Sequence, residues 1–342
     1  MAEFSFDNYV LDNVLTYSAD HVISAVVAIF LVAIFGGVAG TLKGNANPII
    51  WTVVDTLWGS VARRAYNVER SPGSLAFRGS IITVAYVVTA FALGFLFLEL
   101  DQYFFSSDLI EAVFLSLVLT GGAVWSAMNK LYLALCEGKT LNKGSFYEIA
   151  VTTRSNLNST DDFGITRVGV GYMPIIFDKG LVAPIFWYLI GGLPLAYLYA
   201  GIAAARWGLA KEGFAKGQGD TALWLDRFFG FIPHLIAAIL MTCAALFTPG
   251  AQFRRAVPGL FGSKGRAPYV QGGLVLSAVA WAIGVSLGGP VEDLDGSVLK
   301  KDWIGATNAT ARVDKGHLRR AIYMSVVAYL LLTLALFSTL LI

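Results

Sequence analysis

Charge is what this 342-residue sequence has least of. Only 14% of its residues are charged and 56% are hydrophobic, against about 25% charged in an ordinary soluble domain. With a mean hydropathy of +0.65, that balance excludes intrinsic disorder, a collagen repeat and a coiled coil. Histidine is scarce too: His21, His234 and His317 stand far apart, and no Cys/His spacing suggests a zinc site or any other metal centre. The only two cysteines, Cys136 and Cys243, lie at the end of one apolar run and inside another. They exclude a disulfide-stapled scaffold and read as unpaired. A net charge of +2 is too small to imply nucleic-acid binding. A nucleophile elbow with Ser, His and Asp is missing. Gly138-Lys139-Thr140 imitates the end of a phosphate loop but lacks the earlier glycine and follows an apolar helix, not a strand. Gly217-Gln218-Gly219-Asp220 reads as a turn before it reads as a phosphate cradle.

The most informative absence is local. Residues 1–42 and 79–129 contain no Lys or Arg, yet hold eight acids: Glu3, Asp7, Asp12, Asp20, Glu99, Asp101, Asp108 and Glu111. Basic loops resist translocation and stay on the cytoplasmic side. The N-terminal tail and the 99–110 loop are therefore expected outside. The basic stretches Lys43 to Arg78, Lys139 to Lys179, Arg206 to Arg227, Arg254 to Arg266 and Lys300 to Arg320 are expected inside. No cleavable signal peptide is expected, since the first apolar run follows acids.

What is present is hydrocarbon. A span needs about 20 mainly apolar residues, and Val22–Leu42, Ile81–Leu98, Leu109–Leu135 and Ala321–Ile342 qualify. Three further runs, 181–205, 228–247 and 272–287, are less simple: the first is interrupted at Gly191-Gly192-Leu193-Pro194 and the second carries Pro233. Broken helices at membrane depth persist only when buried in protein or lining a cavity. The expected fold is thus an all-α polytopic membrane protein of one domain. It has about four clean spans around re-entrant or tilted elements, with both termini outside. Paired glycines at 36–37, 121–122, 191–192, 272–273 and 288–289 read as helix-packing and kink positions. Residues 49–65 place Ile50, Val54, Leu57 and Val61 on one helical face beside Trp51 and Trp58. Either an interfacial helix or an ordinary packed one fits that pattern.

The stretch from Leu181 to Tyr197, with Pro184, Gly191, Gly192 and Pro194, resembles the CobD/CbiB cobalamin-biosynthesis membrane proteins, whose pattern there is D-G-V-V-A-P-L-F-W-x-x-x-G-G-x-P-x-A. Three more stretches resemble family segments in the right order. They are Gly44 to Trp51 with Asn47-Pro48, Val285 to Gly305 with Gly288-Gly289-Pro290 and Trp303, and Val313-Asp314 to Ile322. The resemblance covers nearly the whole chain. It implies ATP- and Mg-dependent amide synthesis joining adenosylcobyric acid to aminopropanol phosphate, with cations on phosphates and carboxylates on Mg. It also implies a bacterial inner-membrane location with the site on the basic face.

The resemblance fails at the polar positions. Gly171, Ile175, Ile176 and Lys179 stand where the family has two glutamates, an asparagine and an aspartate. Arg206 replaces another aspartate, in a segment ending at Lys211, and Pro268 to Leu276 retains no acid. Asn47 replaces a histidine. Arg154, Arg167, Asp226 and Asp314 persist. The resemblance therefore implies Arg154, Arg167 and Asn47 as candidate ligand or phosphate contacts, and Asp226 and Asp314 as candidate catalytic acids. A site stripped of carboxylates suits a non-catalytic membrane scaffold or accessory subunit, as the related AmpE proteins use the fold for signalling. A divergent amide synthase is the alternative, with ATP and Mg as its cofactors and no other cofactor expected. The expected partners are the lipid bilayer and other membrane subunits or a second copy.

Overall fold

A computed structural model describes residues 6–67, 70–104, 107–138, 144–209, 217–261, 265–293 and 298–340. Lys139-Thr140 of the phosphate-loop lookalike, Lys211, the first five residues and the last two lie outside them. The chain is almost entirely helical. Five of its described helices are long and apolar enough to cross a membrane: His21–Ala39, Pro72–Tyr103, Asp162–Leu209, Asp220–Phe247 and Lys315–Thr339. They belong to α1 (Phe6–Ala39), α3 (Pro72–Phe104), α7 (Asp162–Phe177) with α8 (Ala183–Leu209), α9 (Asp220–Phe247) and α12 (Lys315–Thr339). Three short strands, β1 (Ser155–Asn156), β2 (Pro290–Asp293) and β3 (Val298–Lys300), pair antiparallel in that order.

Between α7 and α8 the helix widens into a π-turn over Asp178–Val182. The ladder then breaks where the sequence places the break: Gly191 (φ −153°, ψ 32°) and Gly192 (φ 64°, ψ −159°) leave helical geometry. Tyr172 and Arg206 line one cleft, and Lys179 and Tyr199 meet at Asp226. Both pairs straddle the break, so residues 162–209 form an antiparallel helical hairpin. Its return arm packs on α3 so tightly that a Cβ on Gly94 would lie 2.9 Å from Pro194 Cα, and one on Gly201 would lie 3.0 Å from Val87 Cα.

One expectation changes. The 109–135 span is two helices, α4 (Asp108–Ser116) and α5 (Gly122–Glu137), separated by a non-helical junction. Neighbours satisfy the junction's backbone. Ile50 N–H donates to Leu117 O (3.1 Å) and Thr120 N–H donates to Gly180 O (3.0 Å). The Thr120 hydroxyl donates to Ala46 O (2.6 Å), and Tyr329 donates to Thr120 O. Of the broken or tilted element expected over 228–247, the break is absent: α9 passes through Pro233 as one helix. Proline cannot donate to the carbonyl of Phe229 four residues back, and Trp187 Nε1 donates to it at 3.0 Å instead. The 49–65 segment, open between an interfacial and a packed helix, is α2 (Ile49–Ala65). It buries Ile50, Trp51, Val54 and Ala62 against α3 and α8, while Leu57 and Val61 are exposed. The 272–287 run holds only an 11-residue helix, α11 (Gly273–Ile283).

Gly192 occupies a backbone region open essentially to glycine alone. Gly192→Ala is expected to destabilise the detergent-solubilised protein by about 1–3 kcal/mol, read by thermal unfolding. An unchanged melting temperature would show that the hairpin does not depend on this turn.

Candidate functional site

The end of α6 (Gly144–Thr153), β1, α7, the end of α8, the turn Tyr269–Gln271, α11 and β2 line a cleft of about 150 Å³. Its lining carries four cations, Arg154, Arg167, Arg206 and Lys301, and no carboxylate among the described residues. Gly171, Ile175 and Leu276, three positions where the resemblance calls for acids, lie on its wall.

Each of the three arginines is held. Arg154 has φ +54°, a left-handed backbone that a non-glycine residue adopts at a cost. Its guanidinium lies 3.2 Å from Asp55 Oδ1 and 4.7 Å from the Trp207 ring centroid, and Asp55 also accepts from Tyr86 (2.8 Å). Arg167 sits 5.1 Å from the ring of Trp303 and donates to Ala311 O at 3.4 Å. Trp303 in turn packs on Gly289, where a Cβ would come within 2.6 Å of the indole. Arg206 donates to Val270 O (3.0 Å), and its Nε lies 3.1 Å from Asp226 Oδ2.

Behind Arg206 the structure places a buried charge network. Asp226, fully buried, accepts from Tyr199 (3.0 Å) and lies 3.0 Å from Lys179 Nζ. Lys179 also lies 3.2 Å from Asp178 Oδ2 and donates to Tyr269 (2.8 Å), which donates to Asp226 O (2.8 Å). Asp178 Oδ2 faces His234 Nδ1 at 2.7 Å. Because Leu274 N–H donates to His234 Nε2 (3.0 Å), that nitrogen is an acceptor and the ring is neutral with its proton on Nδ1. Two carboxylates thus face two cations and a neutral imidazole, and the network carries no net charge. Burial pushes the Tyr269 phenol well above its ordinary range, with the Lys179 ammonium opposing, so it stays a neutral donor. Gly273 is required here, since a Cβ would reach 2.5 Å from His234 Nε2.

Of the residues chosen from sequence, Arg154 and Arg167 share the cleft and Asp226 lies beneath it. Asn47 and Asp314 lie elsewhere. Asn47 is a buried structural hub: it donates to Thr152 O (3.1 Å) and accepts from Tyr172. Asp314 caps α12, accepting from Gly316 N (2.9 Å) and His317 N (3.1 Å). Desolvation raises its pKa, but the hydrogen bonds and charge of His317 prevail and hold it below the usual carboxylate range. Pro48 begins α2, Pro184 lies in the first turn of α8, and Gly288 packs a backbone against Asp302 O. The Gly217-Gln218-Gly219 turn is tucked against the protein, with Gln218 donating to Ala62 O (2.9 Å). Among the described residues, no group of three or more His, Cys, Asp or Glu could hold a metal ion.

Sequence reasoning missed Asp178, Lys179, Arg206 and His234 as a unit. The available signal was Asp178-Lys179 inside an apolar run, since ionisable residues at such positions face a partner or a cavity.

A network with both acids paired makes a definite prediction. Asp226→Asn should destabilise by about 3–5 kcal/mol, because Lys179 and Arg206 lose a buried counter-charge. Adding Lys179→Met should recover most of that loss in denaturation experiments. A double variant no more stable than the single one would refute the pairing.

A sequence model of the CobD/CbiB protein family matches residues 25–325. The chain is similar to the probable cobalamin biosynthesis protein CobD of Methanothermobacter thermautotrophicus, with 25% identity across 81% of this chain and 91% of the relative. It is also similar to cobalamin biosynthesis proteins CobD from Brucella anthropi (26% identity, 56% and 58%) and Brucella melitensis (24%, 70% and 75%). No solved structure matches it.

Proposed function

The chain belongs to the CobD/CbiB family, and from that premise we propose that it binds an anionic, phosphate- or carboxylate-bearing ligand in its basic cleft. On this reading it is a non-catalytic membrane scaffold or accessory subunit, acting with other membrane subunits or a second copy. The observation that carries the reading is the cleft's lining: Arg154, Arg167, Arg206 and Lys301 face it, Arg154 backed by Asp55 and Arg206 by Asp226, and among the described residues no carboxylate stands on the wall itself. Magnesium usually takes one or two carboxylates. The residues present do not fit it: the acids that reach the lining cations from behind, Asp55 and Asp226, are already paired, Asp55 with Arg154 and Asp226 with Arg206 and Lys179. Guanidinium groups instead grip phosphate or carboxylate oxygens directly, in pairs where geometry allows.

The relatives' names favour a second reading, an amide synthase of cobalamin biosynthesis. One experiment separates the two. With ATP, Mg, adenosylcobyric acid and aminopropanol phosphate the purified protein is expected to form no amide, and its gene should not complement a cobalamin-synthase deletion. It should still bind pyrophosphate without Mg, about tenfold more weakly in Arg167→Ala. Amide formation by the wild-type protein would establish the synthase instead.

The proposed location is a bacterial inner membrane with the cleft on the cytoplasmic side and both termini outside. Support comes from the absence of Lys and Arg from residues 1–42 and 79–129. In a protein carrying Cys136→Ser and Cys243→Ser, a membrane-impermeant maleimide added from outside should label Gln102→Cys. It should label Asn308→Cys only after permeabilisation. The opposite pattern would invert the orientation.

A further inference from the structure

A second cavity, of about 490 Å³, opens between α1, α4 and α5. Apolar side chains dominate its lining, Leu31, Val32, Phe35, Ile49, Val113 and Leu119 among them. Its mouth is flanked by exposed hydrocarbon: Phe35 is 66% exposed, Leu42 56% and Val113 44%. The groove exists because α4 and α5 are separate helices. A continuous helix would pack its side chains where the junction now turns away, at Leu119 and Thr120.

Polarity is confined to one end. There the groove is lined by Gly40, Thr41, Leu42, Asn45 and Asn47, from the turn that follows α1. Leu42 and Asn45 pair across this turn, and it places Lys43 at φ +51°, a left-handed conformation unusual for lysine. Gly44, at φ +81°, continues the turn against Tyr147. The Lys43 side chain is exposed. A second cation stands at the same rim: Lys130 Nζ would lie 3.7 Å from a Cβ on Gly40. Glu148, 2.5 Å from Lys130, is its ion-pair partner. Asn45 and Asn47 are satisfied within the protein, by Thr52 and by Thr152 with Tyr172. They make the groove's end polar without demanding a ligand.

An apolar slot open to the side, ending at a strained turn that fixes a cation, matches one chemistry. We propose that this groove binds an anionic glycerophospholipid, with an acyl chain along α1 and α4 and the phosphate on Lys43, beside the Lys130–Glu148 pair. The hydrocarbon lining excludes a soluble anion as the principal occupant, and the cationic rim selects an anionic head over a zwitterionic one. The site is separate from the basic cleft, so it stands whether or not that cleft binds phosphate.

The test uses the full chain in nanodiscs or detergent, with lipid retention read by native mass spectrometry. Phosphatidylglycerol should be retained in preference to phosphatidylcholine, and more weakly as ionic strength rises. Lys43→Ala should weaken phosphatidylglycerol retention about fivefold. Val113→Trp, which fills the groove, should reduce both lipids, and Ile49→Trp serves if that variant misfolds. Arg167→Ala, in the other cavity, should change neither. Equal retention of the two lipids, or unchanged retention in Lys43→Ala, would overturn the proposal. Displacement of the lipid by free inorganic phosphate would overturn it too, by showing that the acyl chain contributes nothing.

Discussion

The structure is governed by one requirement: in an apolar surrounding, every backbone polar group left free by a helix break must find a partner inside the protein. The junction between α4 and α5 meets it with partners from three places in the chain. Ile50 comes from the first turn of α2, Gly180 from the π-turn, and Tyr329 from α12. These links tie together helices far apart in sequence. The π-turn is part of the same arrangement, since Gly180 offers its carbonyl sideways to Thr120. That turn also carries Asp178 and Lys179, so the break in one helix and the charge network behind the cleft share a foundation.

The same rule explains how α9 carries Pro233 without breaking. A proline frees one carbonyl, and the cost depends on whether something else can donate to it. Trp187, from the hairpin, does so for Phe229. This long-range donor decides between a straight helix and a broken one, and nothing local to 228–247 reveals it. The 109–135 run shows the converse. Its residues are mainly apolar, and Gly121-Gly122 is the one local hint of an interruption. The interruption is sustained by distant partners, and by the close crossing of α1 and α5, where a Cβ on Gly122 would lie 2.1 Å from Ala33 O. The Gly191-Gly192 break was legible, because it rests on backbone freedom that glycine alone supplies.

The site divides along the same line. Arg154 and Arg167 could be placed from their positions in a matched motif, and both line the cleft. Asn47 and Asp314 match the motif equally well, yet their side chains are used by a backbone hub and a helix cap. Lys179 and Arg206 look in the sequence like the loss of two acids. In space they face Asp178 and Asp226, so the polar region has exchanged one arrangement of charge for another of zero sum. Sequence position identifies the exchange but cannot reveal the pairing, because Asp226 lies on a different helix from both of its cationic partners.

That separation bears on the order in which the chain can assemble. When the hairpin of residues 162–209 first forms, Lys179 and Arg206 have between them one buried carboxylate, Asp178, on their own segment. The second, Asp226, arrives only with α9. A hairpin with surplus positive charge is poorly suited to leave water or a translocation channel for lipid by itself. The hairpin therefore reaches charge balance in its buried network only when α9 joins it.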